Sequence, residues 1–370
     1  MKTLKDLQVT KGMKALVRFD FNVSVINKKV VDDFRIRKAL LTLNYLREKK
    51  AKVIIISHIE STKTLEPVHQ HLVNMGIQNV FVKNYRNALA AIEENDIVFL
   101  ENLRAHAGEK ENSEEFAKEL ASLGDVYVND AFSVSHREHA SVSAIARYIP
   151  SYIGFQFEEE VKNLSAAFKP ERPFLFILGG AKFDTKLPLI EKFMQTADHV
   201  FVGGALAHNF FVEQGYEIGK SVVSPEKFNL QKYFGNAKLL LPIDMVIKRG
   251  DKIVNIDLGE VEKNDIILDA GPKTLELLRK AVSNSAQILW NGTLGLYEQG
   301  YTEPTIELAK MISESKAKTI VGGGDTLAAI AKLGIEDKFS FVSTGGGAML
   351  DYLAHETLPA IQAIERGVDK

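Results

Sequence analysis

Short, unbroken runs of β-branched and aromatic residues recur along this chain, each followed by a turn and then by a stretch with helical spacing. Parallel strands covered by helices on both faces look like this, because a strand buried on both sides has no polar face to show. In the first half the runs are residues 15–20, 52–57, 97–100 and 126–129; Ile36, Ala39, Leu40, Leu43 and Leu46 form an apolar helical face between them, and Phe116, Leu120 and Leu123 begin another. In the second half they are 174–178, 199–202, 238–241, 287–290, 319–321 and 339–343. A chain of 370 residues exceeds the usual domain size of about 100–200 residues, so the pattern predicts an α/β protein of two lobes, each with its own sheet. Val161, Leu164 and Phe168 lie at helical spacing, and Pro170 and Pro173 stop any helix there. Residues 158–170 are therefore expected to link lobes at 1–157 and 171–357.

With 46 Lys plus Arg against 48 Asp plus Glu, the net charge of -2 provides no global basic field for nucleic acid or an anionic membrane. Any anion site must be local. The absence of cysteine excludes disulfides, thiolate metal sites and a cysteine nucleophile, and fits a reducing compartment. The N-terminus lacks the apolar stretch of a signal peptide, and no apolar run approaches the roughly 20 residues of a membrane helix, so a cytoplasmic protein is expected.

Glycines cluster at the ends of the second-half strands: Gly179-Gly180-Ala181-Lys182, Gly203-Gly204, Asn291-Gly292, Gly322-Gly323-Gly324-Asp325-Thr326 and Thr344-Gly345-Gly346-Gly347. Ligands of an open parallel sheet sit beyond the carboxyl ends of its strands, where glycine admits a phosphate close to the backbone and helix N-termini favour negative charge. Lys182 and Lys186, four apart, suit one polyphosphate on a helical turn, and Asp325 suits a hard cation such as Mg²⁺. A single cluster is equally compatible with a plain strand-to-helix turn. Several on one rim point to a nucleotide. The Gly-Lys-Ser at 219–221 has its glycines one residue too close for a Walker A loop.

The first half places charge at its strand ends instead: Asp20 and Asn22, His58, Arg104, and His136-Arg137, with Arg35 opening a helix. Converging guanidinium forks make a pocket for a small polyanion, whereas a lone arginine is more often a surface ion pair. His136 and His139 would form a metal pair only on a helix and with further ligands.

These segments, Val17-Arg18-Phe19-Asp20-Phe21-Asn22-Val23, Glu101-Asn102-Leu103-Arg104, Asn129-Asp130-Ala131-Phe132 with His136-Arg137, Leu178 to Lys182, Trp290-Asn291-Gly292, Gly322 to Thr326 and Val342 to Ala348, resemble those of the phosphoglycerate kinases in order and over nearly the whole chain. The resemblance implies two Rossmann-like lobes joined by a hinge, and a C-terminal stretch, 358–370, that returns to the first lobe. It assigns 3-phosphoglycerate or 1,3-bisphosphoglycerate to Asp20, Phe21, Asn22, Arg35, His58, Arg104, His136 and Arg137. ATP or ADP with Mg²⁺ falls to Gly180, Ala181, Lys182, Lys186, Gly204, Asn291, Glu298, Gly323, Gly324, Asp325 and Thr326, with Glu298 on the ribose and Asp325 at the metal. In-line transfer after lobe closure would draw charge stabilisation from Arg35, Lys186 and the amides of Gly323, Gly345 and Gly346. A monomer is the family expectation.

The chain departs from the family after Ser57-His58, where Ile59-Glu60-Ser61-Thr62 replaces the usual Gly-Arg-Pro, so an expected substrate arginine is Ser61. Losing a charge-assisted hydrogen bond to a phosphate costs about 1.5–3 kcal/mol, tenfold to hundredfold in affinity, and Glu60 adds an unhelpful charge. Lys63 would replace the fork only as a mobile point charge. Ser133, Ala205 and Thr293 are smaller departures. Competing readings are a non-catalytic nucleotide-binding homologue acting through protein contacts, favoured by Ser61 and Glu60, and a kinase for another small acid. Intact Lys186, Glu298 and Asp325 speak for catalysis.

Overall fold

The computed structural model describes residues 1–368 and divides into two compact units, one of residues 1–162 with the segment from His355 onward, the other of residues 163–354.

The first unit contains β1 (Lys14–Phe19), β2 (Val25–Ile26), β3 (Lys29–Val30), β4 (Lys52–Ile56), β5 (Val80–Val82), β6 (Ile97–Leu100), β7 (Val126–Asp130) and β8 (Ser151–Ile153). Six of these form one parallel sheet in the order β5-β6-β4-β1-β7-β8, while β2 and β3 make a small antiparallel hairpin. Alternate residues of a central strand face opposite layers. Val17 and Phe19 of β1 enter one apolar cluster with Ile36, Leu43 and Leu72, and Leu16 enters the other with Phe116 and Leu120. Full burial of each such side chain is worth about 1.5–3 kcal/mol, which is why the strands read as continuous apolar runs.

The second unit contains β9 (Phe174–Leu178), β10 (His199–Val202), β11 (Leu239–Leu240), β12 (Asp244–Arg249), β13 (Lys252–Asp257), β14 (Ile266–Ala270), β15 (Gln287–Asn291), β16 (Lys318–Gly322) and β17 (Phe341–Val342). Its parallel sheet runs β11-β10-β9-β15-β16-β17, and β13-β12-β14 form a separate antiparallel sheet. All five residues of β9 are buried. In both units the turns beyond the carboxyl ends of neighbouring strands share one rim, and the α/β class with a parallel sheet in each lobe is as the strand pattern predicts.

The helix expected near 158–168 runs from Phe155 to Ser165. It starts earlier because the Thr42 hydroxyl accepts the Phe155 N–H at 2.9 Å and the Asp130 carboxylate accepts that of Phe157 at 3.0 Å, satisfying two donors of its first turn. The division between units falls inside this helix. The segment from His355 carries the helix Pro359–Arg366, whose Ala360 packs with Ala131, Val134 and Val142 and donates its N–H to the Ser135 carbonyl at 3.2 Å.

Candidate active site

In the first unit the rim holds a cluster of cations around His58. The Arg18 side chain is fully buried inside β1; its guanidinium donates to the Phe19 carbonyl at 2.7 Å, to the Ser141 hydroxyl at 3.1 Å and to His58 Nδ1 at 2.9 Å. Ser141 in turn donates to the buried Glu109 carboxylate at 2.7 Å, so a hydroxyl relays a countercharge to Arg18. Accepting from Arg18 at Nδ1 leaves the His58 proton on Nε2. Burial first, and then the charges of Arg18, Arg104, Arg137 and Arg35, push the His58 pKa far below its ordinary value, and the imidazole is neutral.

Arg104 follows β6 on a short turn whose N–H is capped by Asn102 at 3.1 Å. Only 9% of its side chain is exposed, yet its Nε and one terminal nitrogen have no hydrogen-bond partner. A buried guanidinium is normally satisfied, and each missing bond costs about 1–3 kcal/mol, so this fork offers two buried donors that an anion can fill. Its pKa is lowered by burial and then by Arg137 and Arg18, the signature of crowded positive charge. Its remaining nitrogen bonds the Glu60 carboxylate.

Arg35, in the first turn of the helix Phe34–Glu48, donates to Asp20 at 2.6 Å, and the same Asp20 oxygen accepts the Ser133 hydroxyl at 2.5 Å. Asn22 accepts the Glu60 N–H at 2.9 Å. Arg137 lies 3.9 Å from Glu60 and its Nε 3.4 Å from His136 Nε2. One expected residue has its side chain elsewhere: Phe21 is fully buried, stacked on Phe19 and edge-on to Phe99, because alternation along the chain turns it into the core. Only its backbone reaches the rim. His136 lies in a turn and His139 in the irregular segment after it, neither on a helix, and no cluster of three or more metal-ligating side chains occurs among the described residues.

In the second unit the glycine turns press on one another. A Cβ on Gly179 would meet the Thr293 carbonyl at 2.1 Å, one on Gly292 the Gly179 carbonyl at 2.3 Å, and one on Gly204 the Gly180 amide nitrogen at 2.8 Å. The turns after β9, β10 and β15 thus lie at backbone distance and are tied by hydrogen bonds from the Gly179 N–H to the Asn291 carbonyl at 2.8 Å, from Gly180 to Thr293 at 3.0 Å and from Leu206 to Gly180 at 3.1 Å. Thr326 accepts the Gly292 N–H at 3.0 Å, tying in the turn after β16, and Asn291 approaches Gly323 there. Gly323 precedes the helix Gly324–Leu333, which carries Asp325 in its exposed first turn; Gly345 and Gly346 precede the helix Gly347–His355.

Lys182 precedes the helix Phe183–Thr196 and Lys186 lies one turn in, donating to the Gly179 carbonyl at 2.6 Å. Burial lowers the Lys186 pKa to about 8, with Lys182 acting in the same direction and Asp325 opposing. Beside them a cavity of about 410 Å³ is lined by Gly180, Ala181, Gly204, Leu294, Glu298 and Asp325 among others. It also exposes the buried Asp269, whose second carboxylate oxygen is unpartnered and whose pKa burial raises to about 7. Sequence reasoning passed over Asp269, and also Arg18, although a lone arginine inside an apolar strand was a visible signal.

The phosphoglycerate kinase family model matches residues 4–356. The chain is 40% identical to the phosphoglycerate kinase of Dictyoglomus turgidum, over 98% of this chain and 99% of that one, and 40% identical to that of Leptospira biflexa, over 98% of both. Among solved structures, phosphoglycerate kinase from Coxiella burnetii superposes with a TM-score of 0.87 at 33% identity, covering 98% of each chain, and that from Pyrococcus horikoshii with 0.86 at 30%, covering 99% and 98%. Rim, fold and full-length similarity agree, and the chain belongs to the phosphoglycerate kinase family.

Proposed function

We propose that the protein catalyses reversible phosphoryl transfer between ATP and the carboxylate of 3-phosphoglycerate, giving 1,3-bisphosphoglycerate and ADP. A carboxylate oxygen forms the new bond to the γ-phosphorus as the bond to the β-bridging oxygen breaks, so the protein's contribution is positioning and charge stabilisation. The observation that carries this reading is the buried, incompletely satisfied guanidinium of Arg104, in a chain similar to phosphoglycerate kinases over nearly its whole length.

In the first unit Arg104, Arg137 and Arg35 grip the acid, with His58 as a neutral Nε2 donor, and Asp20 and Asn22 orient the guanidinium and the neighbouring loop. In the second, Gly180, Ala181, Gly204, Asn291 and Glu298 hold the nucleotide, Lys182, Lys186 and Thr326 bind its phosphates, and the amides of Gly323, Gly324, Gly345 and Gly346 receive the equatorial oxygens. The donor set fits Mg²⁺: one exposed carboxylate, Asp325, stands at a helix start where phosphate oxygens would complete the shell. When bound, Mg²⁺ neutralises phosphate charge. In-line transfer requires both substrates within bonding reach, so a closing step precedes chemistry. A monomer that works in the cytoplasm is part of the same proposal.

Coupled detection of ADP from MgATP and 3-phosphoglycerate tests the reading. Turnover with this acid above that with other phosphorylated acids is expected, and binding of ATP without turnover would favour a non-catalytic homologue.

The Lys186 pKa makes a second prediction. In the free protein the ammonium is lost as pH rises through about 8, well below its ordinary 10.5, so its burial costs stability below pH 8 and this cost fades above it. A bound polyphosphate restores the charge. Nucleotide binding should therefore take up nearly one proton at about pH 9 and almost none below pH 7. Calorimetry in two buffers of different ionisation enthalpy reads this directly; buffer-independent heats at pH 9 would show that Lys186 does not meet the phosphates.

A further inference from the structure

We propose that Glu60 is a built-in competitor for the acid substrate, its carboxylate seated on Arg104 where an anionic group of the substrate must bind. The inference rests on the proposed function and deepens it.

The ion pair is asymmetric. The Arg104 side chain is 9% exposed while that of Glu60 is 54% exposed, so the arginine is fixed and the glutamate has solvent to swing into. Glu60 satisfies a single nitrogen of the fork and leaves two buried ones unpartnered, which is what a monodentate stand-in for a larger anion would do. Arg137, at 3.9 Å, adds a second cation to the same carboxylate.

The main chain that carries Glu60 is held in place. Asn102 exchanges hydrogen bonds with both polar groups of Ile59, at 3.3 and 2.9 Å. Asn22 takes the Glu60 N–H at 2.9 Å, and the Ser61 hydroxyl donates to the Val23 carbonyl at 2.7 Å. Ser61 is thus spent on the loop, and the loop delivers Glu60 to the arginine. Substrate needs only a side-chain rotation to displace it, which changes affinity and leaves the reacting geometry intact. A ligand that must displace an internal occupant binds with its intrinsic affinity multiplied by the fraction of time the site is open. Occupancy of about 70–90% costs roughly three- to tenfold.

The test compares the wild-type chain with Glu60→Gln and Glu60→Asp, both at an exposed position. Inorganic phosphate is the equilibrium probe, and turnover of 3-phosphoglycerate is measured separately. Glu60→Gln should bind phosphate roughly three- to tenfold more tightly and lower KM for 3-phosphoglycerate by a similar factor, with kcat within twofold. Glu60→Asp keeps the charge but loses the reach, and should behave like the glutamine variant. Unchanged or weaker phosphate binding in Glu60→Gln overturns the proposal, as does wild-type behaviour of Glu60→Asp beside a tightened Glu60→Gln, which would assign the effect to a distant field. Phosphate affinity reads the Glu60 contact even if 3-phosphoglycerate is not turned over, an outcome that would count against the proposed function alone.

Discussion

Lys186→Met lowers kcat by about two to three orders of magnitude, the loss typical of removing one preorganised group that stabilises transition-state charge. The side chain is half-buried, bonds the Gly179 carbonyl at 2.6 Å, and keeps a proton only below about pH 8 in the free protein. A cation whose burial costs stability, and whose charge an arriving anion restores, spends its interaction on the ligand rather than on the fold. Methionine preserves the stem, so the thermal midpoint near neutral pH should not fall. Steady-state turnover beside a melting curve checks both halves, and turnover within threefold of wild type with intact stability would remove Lys186 from the chemistry.

Gly292→Ala should damage the second unit more than any neighbouring single-methyl change. Gly292 has φ +97°, and a Cβ there would lie 2.3 Å from the Gly179 carbonyl oxygen and 2.5 Å from its carbon, backbone atoms with nowhere to go. Overpacking of this kind costs about 1–3 kcal/mol and a non-glycine residue at such a φ about 1–3 more, so roughly 3 kcal/mol or above is expected. The melting transition should drop by roughly 5–10 °C. Because the contact joins the turns after β9 and β15, nucleotide affinity should fall more than tenfold, read by titration with MgADP. Wild-type affinity and melting would show that the two turns separate freely.

The strands buried on both faces were legible because nothing but apolar residues can occupy them: residues 97–100, 174–178 and 199–202 have the expected bounds. β5 and β8, three residues each at the edges of their sheet, are too short to give a pattern. The antiparallel sheet β13-β12-β14 escaped for a different reason. Its outer strand β13 alternates exposed and half-buried positions, and a search for continuous apolar runs passes over a half-wet strand.

At the rim, residue types at strand ends were readable and their pairings were not. Arginine at 104 follows from the motif, but its contact with Glu60 depends on how residues 59–61 are pinned by Asn22, Val23 and Asn102, partners about 40 positions away. The same holds for Ser133. Its hydroxyl joins Arg35 on Asp20, and sequence alone gave it no partner.

The return of the chain after His355 has a consequence for biosynthesis. A polypeptide made only as far as Ala354 already holds every residue of the second unit. The turn bearing Ser133, His136 and Arg137 waits for Ala360 to settle against Ala131, Val134 and Val142. The first unit, though begun first, is the later of the two to have all its residues in place.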